Sequence, residues 1–409
     1  MKIWMIALWS IHALIATPLS GATQLESLTL DQALEMAERL QPELAEARAM
    51  VEAAEGRAKQ AGLFPNPEVI AGANQLPLRS GAANEKEYVA GMGQTLPLGG
   101  RLGKARQAEL LDREVRARGL EVKRRDIRKR VHSAFATALY QEKAWQAQQQ
   151  IFQNAGRAVA TATARLQAGD AVREELARVE MEAARSKVEL QRAESLRQQS
   201  LVALASAIGD ATLSVKTLAG SLDATFEIPT LENLVGNLAA QPELAMADAD
   251  IRARAARVDL AKAERIPDVR VELLYHRLEA SRENTLDVGL SIPLPIFDRK
   301  QGRLREARAE VAAAEARSRM TQNELAARLQ ESYLQLTSAL ASSRMLKTDV
   351  LAKADTVLKT AEARYAAGDA SLTEILPVRR DWAAVQLTYL ESLRDVMQAW
   401  AGLQSYVRP

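Results

Sequence analysis

Val269-Arg270-Val271-Glu272-Leu273-Leu274-Tyr275-His276 and, after a short turn, Leu286-Asp287-Val288-Gly289-Leu290-Ser291-Ile292-Pro293-Leu294 are the stretches that decide the fold. In both, apolar side chains recur at every second position, so each reads as a strand with one apolar and one polar face. Alternation over about 10 residues is the pattern of a strand set between lipid and a watery lumen. Val269, Val271, Leu273, Tyr275, Leu286, Val288, Leu290 and Ile292 are therefore the expected lipid-facing residues. An earlier pair, Val69 to Leu76 and Tyr88 to Leu96, is less regular. Tyr88, Ala90 and Met92 share a candidate lipid face, while Gly72, Gly91 and Gly93 dilute the alternation. A half-buried soluble hairpin shows the same pattern once; four such segments in duplicated positions argue for a membrane.

The duplication is visible in the punctuation. Gln41-Pro42-Glu43-Leu44-Ala45 recurs as Gln241-Pro242-Glu243-Leu244-Ala245, and Gly100-Arg101-Leu102 recurs as Gly302-Arg303-Leu304. Ala164-Arg165-Leu166-Gln167-Ala168-Gly169-Asp170-Ala171 recurs as Ala363-Arg364-Tyr365-Ala366-Ala367-Gly368-Asp369-Ala370. The matches keep their order at offsets between 199 and 202 and centre on Pro and Gly, so Ala-rich composition does not explain them.

Each half has one grammar: helix, two strands, one very long helix, a Gly turn, a returning helix. In the first half a helix is expected from Asp31, an N-cap candidate, to Gly62, where Phe64-Pro65-Asn66-Pro67 breaks it. From Arg101 to Ala168 there is no proline, and a helix of that length spans about 100 Å. Gly169 ends it, and a second helix returns to about Ile208. In the second half Gly302 opens the long helix and Gly368 closes it. Along it Leu304, Ala307, Val311, Ala314, Thr321, Leu325, Leu329 and Leu336 form a coiled-coil-like seam. The fold class is thus mainly α with a small β part. The expected organisation is a signal peptide at 1–22, a first repeat at 23–208, a linker at 209–230 and a second repeat at 231–409.

The leader is read from Lys2, the apolar Ile3 to Ile15 and the small residues Ser20-Gly21-Ala22. That apolar stretch is shorter than the roughly 20 residues of a spanning helix, so the expectation is a cleaved secretory signal. The chain has no cysteine, hence neither a disulfide nor a lipid-acceptor thiol. Charged residues make up 26% with a formal net charge of +2, and the two signs are interleaved, which argues against nucleic-acid binding. No nucleophile–base spacing or phosphate-binding glycine loop is present, so no catalytic or cofactor-binding residue is expected and the chain is not read as an enzyme. Past the leader there are two histidines, His132 and His276. No metal site is expected, because a zinc or copper site needs several N or S ligands. His132, Trp145, Tyr333, Trp382 and Trp400 are read as packing residues.

A sheet in lipid must close, since unpaired backbone groups there cost several kcal/mol each. Four strands cannot close, and bacterial barrels begin at about eight. A dimer would supply eight and a trimer twelve. Because eight strands leave an interior filled by side chains, a water-filled channel favours the trimer.

The strand exits Gln94-Thr95-Leu96-Pro97-Leu98-Gly99-Gly100-Arg101 and Leu290-Ser291-Ile292-Pro293-Leu294-Pro295-Ile296-Phe297-Asp298-Arg299 resemble those of the TolC-like outer-membrane efflux proteins, nearest the heavy-metal cation-efflux, CzcC-type branch. The resemblance covers about residues 25 to 407. It implies a homotrimer with one twelve-stranded outer-membrane barrel and a periplasmic α-helical barrel, fed by an inner-membrane RND pump through a periplasmic adaptor. It implies that Arg165, Gly169, Asp170, Arg364, Gly368 and Asp369 are the periplasmic tips that meet the adaptor. Glu175 and Glu374 fall where relatives carry carboxylates ringing the entrance, although Pro377 stands at a second such position. The same resemblance fits drug efflux or type I protein secretion as cargo. From another class, a periplasmic coiled-coil scaffold without a pore would share the helices alone.

Overall fold

The computed structural model describes residues 24–76, 86–169, 171–223, 226–367 and 369–407. The leader and the tip residues Asp170 and Gly368 lie outside them. The chain runs β1 (Gln24–Thr29), α1 (Leu30–Leu40), α2 (Pro42–Ala61), β2 (Glu68–Asn74), β3 (Glu87–Leu96), α3 (Arg101–Ala168) and α4 (Arg173–Ile208). It continues through β4 (Ser214–Ala219), α5 (Leu231–Gly236), α6 (Pro242–Ala263), β5 (Val269–Leu278), β6 (Asn284–Ser291), α7 (Gln301–Met345), α8 (Ala352–Ala367) and α9 (Leu372–Val407). A π-helical stretch, Leu346–Leu351, joins α7 to α8. The second long helix, expected to run unbroken from Gly302 to Gly368, is therefore wound differently from the first, which is α-helical throughout Arg101–Ala168.

Three sequence expectations are corrected. The first helix is capped by Thr29, not Asp31: the Thr29 hydroxyl accepts from the Gln32 N–H and the Gln32 side chain accepts from the Thr29 N–H. That reciprocal pair satisfies two orphan donors, which Asp31 inside the first turn does not do. The same helix breaks at Gln41, because Pro42 has no N–H to continue the ladder and instead opens α2 at its first position. The region 209–230 is more than a linker. Its Ser214–Ala219 forms β4, paired parallel to β1 from Gln24↔Ser214 to Thr29↔Ala219.

The repeated Gln-Pro-Glu-Leu-Ala motif does the same work twice. Gln41 Nε2 donates to the Ala207 carbonyl at 2.9 Å, and Gln241 Nε2 donates to the Tyr406 carbonyl at 3.3 Å. Each buried glutamine thus caps the last turn of its repeat's returning helix, α4 or α9, where carbonyls lack helical partners. Glu43 then accepts from Arg130 and Lys123, and Glu243 from Arg125, so both motifs clamp onto α3. Leu44 and Leu244 are buried beneath them.

The main core lies at mid-height around α3. Ile127, Val131, Phe135 and Leu139 pack against Leu28 of β1, Leu204 and Ile208 of α4, and Leu393 and Met397 of α9. A second cluster joins Leu325, Leu329 and Leu336 of α7 to Leu234 of α5 and Leu403 of α9. Along the α7 seam Ala307, Ala314, Leu325, Leu329 and Leu336 are buried. Toward the far end lies a small cluster, Ala162, Val179, Leu372 and Ile375. No described helix is long and apolar enough to cross a membrane.

Candidate functional site

The sheet at one end of the long helices is built from both repeats. Its order is β2-β3-β5-β6, antiparallel throughout. Among the described residues, β2 and β6 have no partner on their outer sides. The register runs from Glu68↔Gly93 through Gln94↔Val271 to Val271↔Leu290, so side chains from all four strands share each face.

One face carries Val69 and Ala71, Tyr88, Ala90 and Met92, Val269, Val271, Leu273 and Tyr275, then Leu286, Val288 and Leu290. Most of these apolar side chains are exposed, Val69 by 81% and Val288 by 75%, while Val269 and Val271, near the helical end of β5, are half-buried. Strand β6 ends at Ser291, so Ile292 lies one residue beyond the ladder, ahead of Pro293, which cannot donate to it. The expected run to Leu294 is thus shortened.

The opposite face carries Glu68 on β2, Glu87 on β3, Arg270, Glu272 and His276 on β5, and Asp287 on β6. Four carboxylates therefore meet one guanidinium and one imidazole. Arg270 bonds Glu272 at 2.6 Å and Glu68 at 2.8 Å. His276 Nδ1 lies 2.6 Å from Glu87 Oε1, and its Nε2 lies 3.3 Å from Asp287 Oδ2. Gly72, Gly91, Gly93 and Gly289 all fall on this polar face, so the glycines that dilute the sequence pattern are absent from the apolar side. Gly91 is required by packing: a Cβ there would meet the Leu273 carbonyl oxygen at 2.2 Å.

At the other end each repeat reverses. Gly169 adopts φ +83°, and its N–H closes on the Arg165 and Leu166 carbonyls. Arg165 donates toward Tyr365 at 3.4 Å, lies 3.5 Å from Glu175, and stacks over the Tyr365 ring, so it ties the first tip to the second repeat. In the second repeat Asp369 N–H donates to the Arg364 carbonyl at 2.9 Å, and the Arg364 guanidinium donates back to the Asp369 carbonyl at 3.1 Å.

The two candidate carboxylates have unlike settings. Glu374 accepts from the Ser371 N–H at 3.3 Å and the Ser371 hydroxyl at 3.0 Å, closing a cap at the start of α9. Those hydrogen bonds, with Arg364 nearby, hold its carboxyl below the usual range. Glu175 has no such cap, because Val172 stands where the second repeat has Ser371, and it is held by Arg165 instead.

The packing residues also have partners. Trp382 Nε1 donates to Asp355 at 2.6 Å, Trp400 stacks on Phe226, and Trp145 lies under Arg197, whose guanidinium holds the buried Glu142. Tyr333 packs against the second core cluster. His132 is buried on α3. The Glu87–His276–Asp287 arrangement is the feature that spacing along the chain did not disclose, since three strands supply it.

Two long helical hairpins bearing a shared four-stranded sheet, apolar on one exposed face and acidic on the other, define a membrane conduit protein. The chain belongs to the outer membrane efflux protein family, whose model matches residues 33–210 and 235–407. The two matched blocks fall on the two repeats. It is 28% identical over 372 residues to the cobalt-zinc-cadmium resistance protein CzcC of Cupriavidus metallidurans, covering 91% of this chain and 88% of that one. Among solved structures, a membrane protein from Pseudomonas aeruginosa superposes with a TM-score of 0.78 at 19% identity, covering 92% of this chain and 90% of that one. The outer membrane protein VceC of Vibrio cholerae superposes with a TM-score of 0.73 at 19% identity, covering 92% of this chain and 95% of that one.

Proposed function

We propose that this outer-membrane efflux protein is the passive exit duct of a tripartite export system and carries no catalytic activity. Three copies place twelve strands side by side and close a barrel, with the apolar face to lipid and the acidic face to the lumen. The supporting observation is the four-stranded sheet itself, whose two outer strands lack partners among the described residues and whose two faces differ in polarity. An open sheet of this kind is untenable in lipid and closes by self-association. The long helices then form the periplasmic tunnel. The turns at Arg165–Gly169 and Arg364–Asp369 dock a periplasmic adaptor that links the duct to an inner-membrane RND pump.

The cargo that fits best is a heavy-metal cation. Carboxylates outnumber cationic groups on the polar face, and a lumen of one sign concentrates counter-ions. The similarity to a cobalt-zinc-cadmium resistance protein points the same way. The test is reconstitution of the purified protein in planar bilayers, together with complementation of a strain lacking its own duct. Cation-selective conductance and restored zinc, cobalt or cadmium resistance are the expected outcomes. Restored drug resistance or protein secretion without metal resistance would reassign the cargo. A soluble particle without conductance would leave a coiled-coil scaffold.

A further inference from the structure

We propose that His276 and Asp287, with Glu87 behind them, form a coordination site for a divalent, zinc-like transition-metal ion on the polar face of the sheet. A carboxylate at neutral pH can only accept, so the 2.6 Å contact to Glu87 places the imidazole proton on Nδ1. Nε2 is then the ring nitrogen that faces the second carboxylate. Nε2 is buried, without a hydrogen-bond partner, and 3.3 Å from the Asp287 carboxylate oxygen. At that distance a second ring proton or a metal ion bridges the two atoms.

The separation also suits a metal. Zinc binds imidazole nitrogen and carboxylate oxygen at about 2.0–2.2 Å in tetrahedral geometry, which places two such donors about 3.3–3.4 Å apart. The contact behind the ring is the second half of the arrangement. Histidines that bind metals commonly donate their other N–H to a carboxylate, which fixes the tautomer and raises the basicity of the ligating nitrogen. Glu87 occupies that position and is itself held by Asn74 Nδ2 at 3.1 Å. Among the described residues no group of three or more His, Asp or Glu side chains is arranged to hold a metal ion. The site therefore has two protein donors, and water completes it. Such a site binds weakly and exchanges readily, which suits a cation in passage better than one stored.

The site rests on the duct reading only for its placement in a lumen and its threefold repetition; the binding itself is a property of one chain. The test uses full-length protein in detergent, stripped of metal and titrated with Co2+, whose tetrahedral complexes absorb strongly in the visible. One cobalt per chain with imidazole-ligated bands is expected, displaced by Zn2+. His276→Gln and Asp287→Asn should abolish the bands. Glu87→Gln should weaken binding roughly 10- to 100-fold, and Glu272→Gln, on the same face but bonded to Arg270, should leave it unchanged. Absence of bands in the parent protein, as when a proton alone bridges His276 and Asp287, would overturn the site. So would equal affinity in the parent and in assembled Asp287→Asn. Size-exclusion on the parent and each variant reports assembly separately: a parent that does not form trimers speaks against the duct, and a parent that forms them without binding cobalt speaks against the site.

Discussion

Midway along α3, His132 is buried and its Nδ1 has no hydrogen-bond partner. Burial disfavours the charged ring and lowers its pKa from the ordinary 6.5. The folded protein then binds fewer protons than the unfolded chain, so this contribution to stability is full above about pH 6.5 and is lost as the pH falls below it. Thermal unfolding in detergent should show a lower midpoint at pH 5 than at pH 7, and His132→Gln should flatten that dependence. At the same scale Gln241→Leu removes the donor to the Tyr406 carbonyl in a buried setting, which should cost about 1–3 kcal/mol by denaturant unfolding. Gln41→Leu should behave alike, since it performs the same task for Ala207. The motif was legible as punctuation; its task was not, because the carbonyl it caps lies 166 residues away in the first repeat.

Strand β2 offers an internal comparison at the scale of the element. Val69 lies on the apolar face, whereas a Cβ built at Gly72 on the polar face meets nothing within 4 Å. Val69→Arg should cost roughly 2–4 kcal/mol per copy near the bilayer midplane and block outer-membrane insertion. Gly72→Arg should insert normally. Equal insertion of both, measured by membrane fractionation, would contradict the assignment of faces. Glu272 is a poor control for this purpose, because it accepts from Arg270. Gly169 gives a second element-scale test. At φ +83° a β-branched residue is strained, so Gly169→Val should assemble and insert yet lose export. Its cross-linking to the adaptor from a cysteine placed at Ala171 should fall with it. Export and cross-linking that persist unchanged would show that this turn is not the docking tip.

For the whole molecule, the sheet decides the assembly. With β2 and β6 unpaired on their outer sides among the described residues, a single chain presents two open edges to lipid. Native mass measurement in detergent should find particles of three chains. A monomer that still conducts in bilayers would refute closure by self-association. The small far-end cluster of Ala162, Val179, Leu372 and Ile375 contrasts with the large core around Phe135. Hydrogen exchange should accordingly be slow at mid-helix and faster toward the tips, since local opening costs least where the fewest apolar contacts break.

Local patterns carried much of this protein in its sequence. Period-two alternation marked the strands, the absence of proline marked α3, and Gly169 marked its end, because each expresses a constraint acting within a few residues. Repeated punctuation disclosed the duplication for the same reason. The tertiary structure decided what depends on distant partners: the parallel pairing of β1 with β4, the transfer of the cap from Asp31 to Thr29, and the break at Gln41. It also decided which face the glycines occupy and the meeting of Glu87, His276 and Asp287. These depend on strand register and on helices separated by most of a repeat, and a spacing along the chain carries no record of a distance across a sheet.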